Sequence, residues 1–269
     1  MSQTTAKSAR KTGNRVFIRL LPILTVAVFL IIWQIIVDAG VVNSTKLASP
    51  LEVWNGFIYK LGNTGPDGST LGTNILSSLQ VAMTGLLIAI VVGVPLGLFM
   101  GWYSMFDRFV HPIFEIIRPI PPVAWIPLMI IWMGLGTSAK AMIIFLAAFI
   151  PCVINSFTGI RLTNRVYINV SKTFGASNFY TFIHVGIPSA VPMVFAGIRL
   201  ALGSSWGTLV AAELLAASSG LGYMINMARN FARIDIVILG MIIIGLLGYI
   251  FTSLFGVIER KLVKGRTVL

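Results

Sequence analysis

This sequence predicts an all-α integral membrane protein, a bundle of about six transmembrane helices with both termini in the cytoplasm, and three observations carry that expectation. Of its 269 residues, 57% are hydrophobic and 10% charged, with a mean hydropathy of +0.91; a water-soluble domain of that balance would lack the polar surface to cover itself. Charge-free stretches long enough to cross a hydrocarbon core roughly 30 Å thick, about 20 helical residues each, recur along the chain. Basic residues gather at the ends of those stretches that share one side.

Residues 20–37 make the first span, between Arg19 and Asp38. Residues 68–106 hold no charge and carry the apolar run 81–100, the second span. Residues 119–139 and 141–160, separated by Lys140, make the third and fourth. Residues 188–212, interrupted by Arg199, make the fifth, and residues 236–258, between Asp235 and Glu259, the sixth. With six crossings, thirteen Lys and Arg residues share the side of the two termini. Five (Lys46, Lys60, Lys140, Arg229 and Arg233) take the other. That positive-inside bias sets the orientation. It also accounts for the net charge of +12 without nucleic acid as a partner. The first apolar run, 18 residues with no small-x-small cleavage pattern behind it, reads as a retained helix rather than a signal peptide. Cys152 is the only cysteine, which excludes an internal disulfide and a thiolate metal site, and it reads as a small apolar residue.

The organisation follows from these spans. Residues 1–19 are a basic, loose cytoplasmic tail, residues 20–70 the first helix and an external segment, residues 71–259 the main transmembrane domain, and residues 260–269 a second basic tail. The external segment predicts a short helix over 51–61 after Ser49-Pro50, lying on the outer face. Pro112, Pro119, Pro121, Pro122 and Pro127 punctuate the third span and remove backbone donors. That segment belongs inside the bundle or beside a cavity, where freed carbonyls find partners. Residues 161–187 form a cytoplasmic loop too long for a simple connection. Asn164 caps a first helix over 165–174, Gly175 ends it, Ser177 caps a second helix to about residue 185, and Gly186 and Pro188 mark a turn into the fifth span. Phe174, Phe179, Tyr180 and Phe182 make this loop apolar enough to require a protein cover.

The same loop resembles the coupling loop of permease subunits of ATP-binding cassette (ABC) importers. The resemblance lies in Gly175-Ala176-Ser177, then His184-Val185-Gly186-Ile187-Pro188 and Pro192; Asn169, Val170 and Ser171 stand where that family carries Glu-Ala-Ala. The stretch from Arg118 to Leu128 (Arg-Pro-Ile-Pro-Pro-Val-Ala-Trp-Ile-Pro-Leu) is similar to the third-helix signature of the nitrate, sulfonate and taurine branch. Ser205-Trp206-Gly207-Thr208-Leu209-Val210-Ala211-Ala212-Glu213-Leu214 with Gly220-Leu221-Gly222-Tyr223 is similar to its taurine and sulfonate members. The match covers roughly residues 71–259.

Such a resemblance implies a type I importer permease fold in a bacterial inner membrane and a division of labour. Two copies of this chain form the pathway, two ABC ATPase subunits at the cytoplasmic face hold ATP and Mg, and an extracytoplasmic binding protein delivers substrate. Residues Asn169, Ser171, Phe174, Gly175, Ala176, Ser177, His184 and Pro188 would then meet the ATPase. The sequence has no Gly-x-x-x-x-Gly-Lys-Ser/Thr phosphate loop, so a P-loop ATPase and its cofactors belong to another polypeptide. Taurine or another sulfonate leads as substrate, with nitrate, bicarbonate and heterocyclic vitamin precursors as alternatives. An ion-coupled secondary transporter is the competing class, but the chain shows no convincing internal repeat or acidic relay.

Ionisable residues in a span mark candidate pathways. Arg199, Trp206 and Glu213 stand seven residues apart, nearly one helix face, with Gly203 between them; they either line the pathway at a dimer interface or make contacts within one subunit. Counted from Pro188, Arg199 lies roughly 16 Å into the span. Arg118 either pairs locally with Glu115 near the cytoplasmic side or adds positive potential for an anion. Trp125 gates or packs.

Overall fold

The structure, a computed structural model, describes residues 3–43 and 46–263, with side chains for 21–43, 46–215 and 217–261. Every regular element among them is helical. Five helices are long and apolar enough to cross a membrane: Leu21–Asp38 within α1 (Gln3–Asp38), α3 (Leu71–Trp102), α6 (Thr137–Arg161), Asn178–Leu215, which contains α9 (Ile187–Ala216), and Ile234–Lys261 within α11 (Ile234–Val263). A broken pair completes the six. α4 (Ser104–Ile117) meets the 3-10 turn Pro122–Trp125 and α5 (Ile126–Met133) at 83°.

The third span therefore differs from the expected 119–139. It starts at Ser104, because α4 is amphipathic and its Asp107, Arg108, His111 and Glu115 hide it from a search for charge-free runs. It breaks after Ile117 because Pro119, Pro121 and Pro122 lack donors and disfavour helix in the residues before them. α5 ends at Gly134, whose φ of +74° is left-handed. The fourth span begins at Thr137, so Lys140 lies in the first turn of α6 instead of between two helices. The basic N-terminal segment is also not a loose tail from Gln3 onward: it continues α1, since residues 3–19 hold no proline, and the helix runs on through Pro22. Lys264 and Arg266, counted with the inner charges, lie outside the described residues.

Outside the spans, α2 (Pro50–Gly62) forms where the short outer helix was expected. Ser49 and Glu52 close a capping box, with Glu52 N donating to Ser49 Oγ at 3.2 Å and Ser49 N to Glu52 Oε2 at 2.7 Å. Its buried face, Val53, Gly56 and Lys60, turns inward, and Leu51, Trp54, Ile58 and Leu61 are exposed. α10 (Leu221–Asn230) is the second outer helix, packed through Leu221, Met224 and Ala228 with Leu71 and Ile236.

The core is made by α3, α6 and α9 in close contact. A Cβ on Gly85 would meet Ile144 Cγ2 at 2.7 Å, one on Gly93 the Cβ of Cys152 at 3.0 Å, and one on Gly101 the Cβ of Ile160 at 2.7 Å. On the other flank of α6, Gly197 of α9 leaves the same room for Asn155 and Gly159 for Met193. Between them Ala89, Ala148, Cys152 and Ala201 are sealed from solvent. Small residues at this spacing let helices in lipid gain dispersion contact that no hydrophobic effect supplies there.

Gly97→Ala tests this. The new methyl would lie 2.8 Å from Ser156 Cβ and 3.1 Å from Phe157 N, and overpacking of this kind costs about 1–3 kcal/mol. The purified variant should unfold at a lower temperature in detergent, whereas Gly72→Ala, whose Cβ meets open space, should match the unmodified protein.

Candidate functional site

At the cytoplasmic end the loop folds as two short helices. Asn164 accepts from Val166 N at 2.9 Å and starts α7 (Arg165–Thr173). Gly175 sits at φ +81°. Ser177 accepts from Tyr180 N at 3.2 Å and starts α8 (Asn178–Thr181). The two helices are tied by the Ser171 and Thr181 hydroxyls, 3.0 Å apart, and by Ala176 N donating to Ser171 O at 3.1 Å. Asn169 is exposed, with its carbonyl accepting from Thr173 Oγ1.

The expected turn at Gly186 and Pro188 is absent. The chain stays helical from Asn178 through a π-helical segment, Phe182–Gly186, into α9. The wider π spacing accommodates the missing N–H of Pro188, and Gly186, at φ −63°, is needed because Trp102 packs where its Cβ would be, 2.8 Å from the ring. Four aromatic residues of the loop were expected on its surface. Phe174, Phe179 and Tyr180 are exposed there, but Phe182 is 3% exposed, enclosed by Phe99, Trp102 and Tyr103. Val166 and Tyr167 join the exposed apolar surface. His184 stacks on Tyr180 with ring centroids 4.0 Å apart.

Of the residues proposed to line a pathway, Arg118 pairs with Glu115 at 3.0 Å, and both side chains stay nearly half exposed. The neighbouring Phe114 packs on Phe149, midway along α6, so this ion pair stands at mid-depth in the bundle beside the broken backbone. Trp125 packs against the cluster of Ile126, Met129, Ala139, Ile143 and Ala212. Gly203 and Gly207 face open space on α9.

The other members of the stripe make contacts within the subunit. The Arg199 guanidinium runs along α11 to Glu259, next to Arg260 and Lys261, so the charge ends nearer the cytoplasmic face than a count from Pro188 gives. Trp206 Nε1 donates to Ile244 O at 3.1 Å and its ring meets Phe251. Glu213, 1% exposed, accepts from Ser78 Oγ at 2.7 Å and Gly222 N at 2.9 Å. The Lys140 charge interacts with it, and Lys140 Nζ donates to Ser219 O at 3.2 Å.

Sequence reasoning passed over Lys140, Ser78 and Asn74, all buried at this outer end. The available signal was Asn74 and Ser78, four residues apart and so on one face of an otherwise apolar span.

Residues 93–264 match the family of inner membrane components of binding-protein-dependent transport systems. The chain belongs to that family. Among its relatives, the taurine transport system permease protein TauC of Escherichia coli is 34% identical over 88% of this chain and 86% of its own length. The putative aliphatic sulfonates transport permease protein SsuC of Bacillus subtilis is 33% identical over 99% and 95%. The nitrate import permease protein NrtB of Synechocystis is 31% identical over 90% and 88%. An inward-facing structure of the MetNI methionine ABC transporter superposes with a TM-score of 0.62 at 18% identity, over 71% of this chain and 95% of that one, which shows the shared type I importer permease fold. The protein is thus an inner membrane permease component of an ABC importer, and the loop, the broken span and the outer polar cluster are parts of a transport machine.

The outer cluster makes a stability prediction. Glu213→Ala leaves Gly222 N and the Ser78 hydroxyl short of a partner, and each buried group left unsatisfied costs about 1–3 kcal/mol. Thermal unfolding in detergent should shift strongly downward; an unchanged midpoint would contradict the network.

Proposed function

We propose that this permease component works as a homodimer, with two ATPase subunits binding ATP and Mg at its cytoplasmic face and an external binding protein, to import a small anion, taurine or an alkanesulfonate. TauC, a taurine transport permease, and SsuC, a putative aliphatic sulfonates permease, support the substrate class, and NrtB, a nitrate import permease, supports nitrate as the alternative. The observation that carries the reading is the half-exposed Glu115–Arg118 pair at mid-depth beside the irregular backbone of 118–125. Lipid cannot cover either feature: unpaired backbone groups in hydrocarbon cost several kcal/mol each, and intramembrane charges face a bundle interior or a water-filled cavity. A second copy and a pathway between the two provide that environment. The open face of α9 at Gly203 and Gly207 suits the same place.

At the other end, the exposed Phe174, Phe179, Tyr167 and Val166 make an apolar surface on a loop that the positive-inside bias puts in the cytoplasm. An ATPase subunit is the proposed cover. The residues Asn169, Ser171, Phe174, Gly175, Ala176, Ser177, His184 and Pro188 either form this surface or set its shape.

Reconstitution with the candidate ATPase and binding protein tests the whole reading. Titration of the binding protein with taurine, ethanesulfonate, nitrate and bicarbonate identifies the ligand, and uptake into proteoliposomes should require ATP. Uptake driven by an ion gradient alone would favour the secondary-transporter class. In that system Arg118→Gln should cut anion uptake about tenfold with normal assembly, the scale of one lost charge-assisted contact. Gly175→Val puts a β-branched residue in a left-handed conformation at a cost above about 1–2 kcal/mol, and should leave ATP hydrolysis running while uptake falls. Intact transport in that variant would remove the loop from coupling.

A further inference from the structure

Four consecutive residues at the turn between α9 and α10 each give one backbone group to a side chain from another place in the fold. Ser219 O accepts from Lys140 Nζ of α6 at 3.2 Å. Gly220 N donates to Asn74 Oδ1 of α3 at 3.1 Å. Leu221 N donates to Ser78 Oγ of α3 at 2.8 Å. Gly222 N donates to Glu213 Oε2 of α9 at 2.9 Å. The chain of contacts continues outward: Asn74 Nδ2 donates to Asp67 Oδ2 at 2.7 Å, and Asp67 Oδ1 pairs with Lys60 of α2 at 2.6 Å. Gly220, at φ +116°, has no room for a side chain because the Glu213 carboxylate occupies it.

Holding α10 in place does not require this. Its Leu221, Met224 and Ala228 already bury an apolar face, and well-packed apolar groups stabilise at least as well as buried ions, which lose their hydration. What polar contacts add is direction: each of these bonds has one geometry, so the turn has one position relative to α3 and α6. The same turn ends Asn178–Leu215, a continuous helix of 38 residues. Its opposite end is tied into the cytoplasmic loop by the Ser171 and Thr181 hydroxyls.

We propose that Lys140, Asn74 and Ser78, with Glu213, are positioning residues that lock the outer turn, so that arrival of the loaded binding protein at α2 and α10 is passed into α9 and on to the ATPase-facing loop. This rests on the importer reading above. The network touches no substrate; it makes the outer helices and α9 move as one body.

The test is ATP hydrolysis by the reconstituted importer with and without loaded binding protein. Lys140→Met should reduce the stimulated rate at least about tenfold while the unstimulated rate stays within about twofold, because the Ser219 carbonyl loses its buried donor and the turn shifts. Adding Glu213→Gln to Lys140→Met should recover most of the stimulation, since the amide keeps an acceptor for Gly222 N and no unpaired charge remains. Asn74→Ala, which breaks the bridge between Gly220 N and Asp67 while leaving the Lys60–Asp67 pair in place, should show the same split and carries the test if Lys140→Met does not assemble. Unchanged stimulation in both single variants, or stimulated and unstimulated rates falling together, would overturn the proposal. Absence of stimulation in the unmodified importer would instead overturn the importer reading, and the lock with it.

Discussion

Close approach of α3, α6 and α9 is the constraint on which the rest of the molecule depends. Helices in lipid gain nothing from hiding apolar surface from water, so they associate through dispersion, which falls off steeply with distance. Gly85, Gly93 and Gly101 on α3, Gly159 on α6 and Gly197 on α9 bring backbones near enough for that term to count. The three-helix core then holds the less regular parts in place. The broken span docks on α6 through Phe114 and Met129, and both outer helices anchor to α11 and α3.

Polar groups are distributed in two ways that follow from the same scarcity of water. At the outer end they are buried and saturated with partners, as in the set around Ser78 and Glu213. At mid-depth they are exposed on the surface of the single subunit, as in Glu115 and Arg118. A buried, satisfied group specifies shape. An exposed one at that depth marks where water or another protein must be.

Much of this was legible in the sequence, and the failures have physical causes. Long apolar runs with flanking charges located five crossings, since burial of about 20 residues leaves a direct trace in composition. Caps were equally local: Ser49, Asn164 and Ser177 each bond within three residues of themselves. The third span was misplaced because α4 is amphipathic and its charges resemble a boundary. The turn expected at Gly186 fails because Trp102, distant in sequence, dictates a glycine there. The outer network was invisible for a related reason. Lys140 reads as a loop charge until the fold brings Ser219 to it from 79 residues away.

The unbroken helix that links the cytoplasmic loop to the outer turn has a mechanical consequence. A rod of 38 residues is about 57 Å long. With no turn at Gly186, displacement at one end is carried along the helix, and the π-helical segment Phe182–Gly186 and Pro192 are where it would bend. A tilt of about 5° about Gly197, midway along the helix, would move each end by about 2.5 Å in opposite directions. With arms this nearly equal, travel at one end returns as opposite travel at the other, which makes the fulcrum, where α9 rests on α6 at Asn155 and Gly197, as consequential as either end.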